Sequence, residues 1–250
     1  MPIDIVTVAE RNRARLIARD EAELRRVIAA YGRVYRSLAA EAELLGVDIA
    51  EMGTVTAAQI RKLERYQALL IQIQQELDKF SAWLGYELPG SARGMIELAG
   101  ADTAAILRGY GLRGAFNNLP AAAIETLLGF LDPQGALYAR LARLGEYTAR
   151  RVGDMLLEGL AKGLNPRTVA RLLVREGLGL GLTDALRMTR TVNLYSYREA
   201  SRANYQANSN VVKAWQWYAH LDGDVCLSCV AMHGSIHPLD EPMDDHHNGR

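Results

Sequence analysis

Leu63-Glu-Arg-Tyr66-Gln-Ala-Leu-Leu70-Ile-Gln-Ile73-Gln-Gln-Glu-Leu77-Asp-Lys-Phe80-Ser-Ala-Trp-Leu84 decides the fold, because its apolar residues Leu63, Tyr66, Leu70, Ile73, Leu77, Phe80 and Leu84 recur at steps of three and four. Such spacing lines up one face of an α-helix and suits no strand, whose side chains alternate with a period of two. Just before it, Thr56-Ala-Ala-Gln59 reads as a capping box, in which the Thr oxygen and the Gln side chain satisfy free amides at a helix start. Upstream, from about Val6 to Leu45, Ile17, Leu24, Val27, Tyr31, Val34 and Leu38 form a second stripe, and Gly46 is read as its end. Two long helices joined by a short loop predict an antiparallel hairpin. It either packs in a bundle or serves as an arm for self-assembly.

Downstream, Leu88-Pro89-Gly90-Ser91 reads as a helix break, followed to about Gly135 by short helical pieces punctuated by Asn117-Asn118-Leu119-Pro120 and Asp132-Pro133. Three clearer helices are expected after that: Ala136 to about Lys162, one capped by Asn165 with Pro166 in its first turn, and one from after Thr183 to about Ala207. Beyond Asn210 the pattern changes. Val211-Val-Lys-Ala-Trp-Gln-Trp-Tyr218 sets Trp215 and Trp217 on one face of a short strand, and the Gly, Asp and Pro content beyond suggests loops and short strands. The fold class is therefore mainly α: a long amino-terminal hairpin (1–88), a connector of short helices (89–135) and a helical body (136–250). The body ends in a small irregular α+β cap at 211–250.

Formal net charge is zero, with 29 basic and 29 acidic residues, so the whole-chain balance selects neither nucleic acid nor a membrane. The distribution is uneven: Ala136 to Tyr205 holds twelve bases against six acids, and His220 to Arg250 six acids against one base. No run of about 18 to 20 apolar residues occurs, so no membrane partner is expected. Two cysteines three positions apart give no disulfide framework, and the amino terminus lacks a basic start followed by an apolar stretch. Synthesis in a reducing cytoplasm is the expectation.

All five histidines and both cysteines lie between His220 and Arg250. Cys226-x-x-Cys229 gives two thiols at the spacing by which one tight turn presents both to a single ion, and His233, His237, His246 and His247 supply imidazoles. Thiolate and imidazole suit zinc better than magnesium or calcium. The pair follows Asp222-Gly-Asp224 and precedes a glycine-containing loop, which favours a zinc knuckle over a redox dithiol at a helix start. Reduced cysteines with solvated histidines are the remaining reading. Asp244 and Asp245 beside His246 and His247 are residue types of metal-dependent hydrolysis, yet no His-Glu-x-x-His, Gly-x-Ser-x-Gly or phosphate-cradling glycine motif occurs. No catalytic residue is assigned. Arg167, Arg171 and Arg175 step by four along an expected helix, a ridge that could track DNA phosphates or simply face solvent; Arg198 and Arg202 repeat the spacing.

The order of Leu156-Leu-Glu-Gly-Leu-Ala-Lys-Gly163, Asn165-Pro166, Thr189-Arg190-Thr191, the Ala- and Tyr-containing helix through Tyr205, Trp215-Gln-Trp217, Asp222, Cys226-x-x-Cys229 and Gly234 resembles the phage Mu F-like head morphogenesis family. The likeness covers about the last 100 residues. It implies a minor head protein of a tailed bacteriophage, made in the host cytoplasm and carried inside the virion head. Its implied partners are the portal protein and the major capsid protein, with DNA as a further contact. The family pattern closes with a His-Pro-Asn-Cys-Arg-Cys type sequence, and His246-His-Asn-Gly-Arg250 resembles it, with His246 in the place of the family's His but His247 where the pattern has Pro and Gly249 where it has the first closing Cys. By resemblance, zinc would take Cys226, Cys229 and His246, with His247 or His237 in place of the missing cysteine. Two rival classes are a metal-dependent enzyme or toxin-type effector built on the same head domain, and a cytosolic nucleic-acid-binding module.

Overall fold

A computed structural model describes residues 5–53, 55–112, 116–161, 164–165, 168–169, 176, 178–223 and 225–241. The chain is mainly helical: α1 (Ile5–Glu51), α2 (Ala57–Arg61), α3 (Glu64–Gly109), α4 (Ala121–Leu128), a 3₁₀ turn (Gly129–Leu131), α5 (Ala136–Ala142), α6 (Leu144–Ala161) and α7 (Leu178–Ala207). A small carboxy-terminal region follows, with β1 (Ala214–Gln216), α8 (Leu227–Met232) and β2 (Ile236–Pro238). The chain divides into two compact units. One comprises Met1–Ala22, Pro89–Phe130 and Arg190–Arg250, the other Glu23–Leu88 and Leu131–Thr189.

In the second unit α1 and α3 run antiparallel. Arg65 Nε lies 2.7 Å from Asp48, Tyr31 meets Phe80 edge-on at 4.9 Å, and Arg26 reaches Glu87, so position numbers fall on one helix as they rise on the other. Between them lie Val27, Tyr31, Val34, Leu38, Leu45 and Ile49 of α1 and Tyr66, Leu69, Ile73, Leu77, Phe80, Leu84 and Leu88 of α3, all buried. The expected α3 stripe holds except that Leu69, not Leu70, faces the core. On α1, Ile17 is exposed at 39% and lies outside the stripe.

The helix ends differ from expectation for identifiable reasons. Gly46 does not stop α1, because Leu45 and Ile49 on either side are buried at 1% and 2%, and their packing outweighs a helix penalty of about 1 kcal/mol for glycine. Termination falls at Gly53, whose φ of 75° is the left-handed conformation of a helix C-terminus. The Thr56–Gln59 capping box forms as predicted, but the helix it opens is the short α2, which ends at Arg61, and the long helix expected to follow from it starts separately at Glu64. Leu88-Pro89-Gly90-Ser91 does not break α3, which runs on to Gly109. Proline has no N–H, so the carbonyl of Gly85, four residues back, loses its helical donor. Tyr138 of α5 takes that place, its hydroxyl donating to Gly85 O at 2.8 Å. Tyr138→Phe is expected to cost about 1 to 2 kcal/mol of stability, read as a lowered urea midpoint. An unchanged midpoint would mean that the carbonyl finds another donor.

The expected helix from Ala136 to about Lys162 is interrupted at Arg143, giving α5 and α6. At Gly145, a Cβ would stand 3.2 Å from the carbonyl of Gln74, so the start of α6 needs a residue without one to approach α3 so closely. α7 begins at Leu178, ahead of Thr183. Thr183 is no cap: its hydroxyl donates back to the carbonyl of Gly179 at 2.9 Å, and Tyr31 donates to Leu178 O at 2.7 Å. Val169 N–H donates to Asn165 O at 2.9 Å. Pro166 and the ridge residues Arg167, Arg171 and Arg175 lie outside the described residues.

The first unit is held by buried polar groups as much as by apolar ones. Asp20 accepts from Arg190 Nε at 3.1 Å and from Asn193 Nδ2 at 2.9 Å, while Ser91 donates to Asn193 Oδ1 at 2.7 Å. Asp102 accepts from the Tyr197 hydroxyl at 2.8 Å and pairs with Arg15 at 2.5 Å. Burial raises the Asp102 carboxyl above its ordinary value against the opposing pull of Tyr197 and Arg15. With a raised carboxyl pKa the folded state keeps its proton longer, so this residue's contribution declines as pH rises through the interval above 3.8. Asn208, just past α7, fixes the segment that leads into α4, accepting from Asn117 N–H at 3.1 Å and donating to Asn117 O at 3.2 Å.

Candidate functional site: the carboxy-terminal cap and its cavity

α7 ends where Val211 and Val212 N–H both donate to Asn208 O, and the chain then enters β1. β1 pairs antiparallel with β2, Trp215 opposite His237. The alternation predicted for this stretch is present: Trp215 is buried between exposed Ala214 and Gln216. His237 stacks on the Trp215 ring at 4.3 Å, with Nε2 2.7 Å from Ser235 Oγ and Nδ1 2.9 Å from Glu241 Oε1. Both ring nitrogens are thus engaged, so His237 acts as a strut and fits poorly as a metal ligand. Gly234, at φ 84°, makes the turn into β2, and its N–H donates to Trp217 O at 2.8 Å.

Cys226 and Cys229 do not sit in a loop knuckle. Cys226 is the N-cap of α8, and its Sγ accepts the Cys229 N–H at 3.3 Å. The amide of Cys229 pulls the Cys226 thiol below its ordinary value, whereas partial burial pushes the Cys229 thiol up. The sequence underestimated α8 because Asp222-Gly-Asp224 looked like a continuing loop. The capping role of a cysteine sulfur has no strong sequence signature. Two adjacent sulfurs, one predisposed to the thiolate, are a chemically sound half of a tetrahedral zinc site. Among the described residues no group of three or more His, Cys, Asp and Glu gathers to hold an ion. The expected ligands His246 and His247, with Asp244 and Asp245, lie outside the described residues.

The other described imidazoles, His233 and His220, hold the cap together. His233 Nδ1 lies 3.0 Å from Ala219 O and 3.3 Å from its N. His220 Nδ1 and the Tyr218 hydroxyl both lie 3.2 Å from Glu10 Oε1 on α1, and His220 Nε2 is 3.7 Å from Asp222. This clasp joins the first turns of α1 to the cap. The hydrogen bond from His220, followed by that from Tyr218 and the charges of His220 and Arg13, outweighs desolvation and lowers the Glu10 carboxyl. A depressed carboxyl pKa supplies stability that is present above 4.5 and is lost as pH falls through the folded value. Acidification below 4.5 should therefore loosen the cap, and Glu10→Gln should flatten that dependence. Tryptophan fluorescence across the acid range reads it; identical acid profiles for the two proteins would discard the clasp.

Beside the cap lies a cavity of about 790 Å³, within the range of ligand sites. Its walls are Val6, Val8 and Ala9 of α1, Ile106 and Tyr110 at the end of α3, Leu112, Arg198 and Tyr205 of α7, the whole run Val211–Tyr218, and His233 with Gly234. No Asp or Glu is among them. The sequence signalled only the aromatic run; the contribution of α1 and α3 depends on tertiary placement that no local pattern reveals. No family model, curated protein or solved structure matches this chain.

Proposed function

We propose that this protein is a minor head protein of a tailed bacteriophage, made in the host cytoplasm and incorporated into the virion. There it binds the portal protein and the major capsid protein during procapsid assembly and DNA packaging. Its work on this reading is adhesion, with no substrate turned over. One observation carries most of the support: residues that bear the family resemblance, though spread over 20 positions of sequence, meet in one small fold. Trp217 O accepts from Gly234 N–H, Trp215 stacks in the same ribbon, and Cys226 caps the helix between the two strands by accepting the Cys229 N–H. A mainly helical chain that contains such a cap suits an assembly subunit. DNA contact through Arg167, Arg171 and Arg175 belongs to the same proposal.

The test is co-expression with the portal and major capsid proteins encoded in the same genome, followed by gradient purification of heads. A few copies per head support the reading, and exclusion from portal-containing heads overturns it.

Zinc is proposed as a structural ion on Cys226 and Cys229, completed by His246 and His247. Purified protein should carry one zinc per chain, and Cys226→Ser should lose it. Chelation should lower the temperature at which the cap melts, because ion binding energy is folding energy for so small a segment. Metal-free protein with unaltered melting in chelator would leave the thiols without that role. A second reading draws on Cys226 standing at a helix start: the pair is also placed for reversible disulfide formation. Thiol titration after metal removal separates the two.

A further inference from the structure

We infer that the free edge of β1 is a docking site for an extended polypeptide segment of a partner protein, which adds a strand to the cap's ribbon and buries apolar side chains in the adjoining cavity. The inference rests on the cavity's geometry and goes beyond the head-protein reading, which could fail without it.

Trp217 N–H donates to Ser235 O at 2.9 Å and Trp217 O accepts from Gly234, so the main-chain groups of Trp217 point toward β2. Main-chain groups on a strand alternate between its two edges. Trp215, paired with His237, therefore also faces β2, and Ala214 and Gln216 turn their N–H and C=O groups to the opposite edge. Among the described residues the sheet has two strands, and that edge carries no third. The cavity adjoins β1: Ala214, Trp215 and Gln216 all line it, together with the flanking residues Val211–Lys213, Trp217 and Tyr218 and with His233 and Gly234 just before β2. An exposed edge beside an apolar trough is the arrangement that accepts an added strand: main-chain hydrogen bonds give affinity, and pockets select alternate side chains.

Charge narrows the occupant. The ionic groups of the lining are Arg198 and Lys213, with no carboxylate beside them in the wall; Arg198 already neighbours Glu199 at 3.5 Å, and Lys213, exposed at the start of β1, donates to Ser209 O at 2.9 Å. The segment that fits has alternating apolar residues and an acidic residue set against Lys213.

The probe is a synthetic peptide, acetyl-Asp-Leu-Thr-Leu-Thr-amide, titrated into the full chain by calorimetry and by the fluorescence of Trp215 and Trp217. Its analogue N-methylated at both leucines keeps the side chains and loses strand donors. We expect the parent peptide to bind and the analogue to bind at least about tenfold more weakly, the worth of one or two hydrogen bonds. Ala214→Pro should reproduce that loss, because it removes an N–H aimed at the free edge, where proline is tolerated. Lys213→Glu should weaken binding as well. Equal binding of parent and methylated peptides would mean that the trough accepts any apolar molecule, and would overturn strand addition. Failure of both peptides to bind would overturn the docking site.

Discussion

Leu84→Ala is expected to lower the unfolding free energy by about 3 kcal/mol, with a range of about 2 to 5 for leucine truncations in cores. Leu84 is fully buried at 0% exposure, one turn from Phe80 and Leu88, which are buried at 4% and 1%. Truncation removes the transfer energy of the missing carbons and leaves a void between α1 and α3 that two long helices cannot readily collapse. Leu84→Met keeps the volume and should cost less than about 1.5 kcal/mol. Urea unfolding followed by circular dichroism measures both. A loss below about 1 kcal/mol for the alanine variant would show that the hairpin seam is not the packed core described.

Asp20→Ala should cost about 2 to 3 kcal/mol, for a different physical reason. Asp20 is 5% exposed and Asn193 is 0% exposed, so removal of the carboxylate strands Asn193 Nδ2 in a site that water reaches poorly. Arg190, its side chain 57% exposed, can re-solvate, which keeps the figure below that of a fully buried pair. Asp20→Leu combined with Asn193→Leu removes the polar groups together and should recover part of the loss. If the single variant unfolds at the wild-type denaturant concentration, the network around Asn193 is ornamental.

The hairpin was legible because long helices repeat one signal many times: a wrong residue such as Leu70 for Leu69 leaves the stripe intact. Helix ends were less so. Gly46 and Pro89 carry strong local breaking signals, and both were overridden, Gly46 by the burial of its helix neighbours Leu45 and Ile49 and Pro89 by the hydroxyl of Tyr138, which is remote in sequence. Thr183 misled in the same way, since a threonine before a helical run can cap or can bond back to the preceding turn, and only the position of Tyr31 against Leu178 shows which.

The cap illustrates a different limit. Its aromatic residues and its Cys-x-x-Cys were visible as residue types, and the Trp215 alternation was read from spacing. The strut role of His237 was not, because whether an imidazole ligates, stacks or bonds to Ser235 and Glu241 depends on neighbours that strand pairing supplies. Glu10 belongs to the cap through His220 and Tyr218, 208 or more positions away. No spacing rule connects them.

On the proposed function, the small carboxy-terminal cap attaches this chain within a phage head. Quantitative mass spectrometry of gradient-purified heads, assembled from the portal, major capsid protein and this chain, addresses it most directly. A fixed small number of copies per portal ring, lost when the cap from Val211 onward is deleted although the remaining chain stays helical, is the predicted result. Heads that assemble with no copies of this protein, or that retain it equally without the cap, would contradict the account.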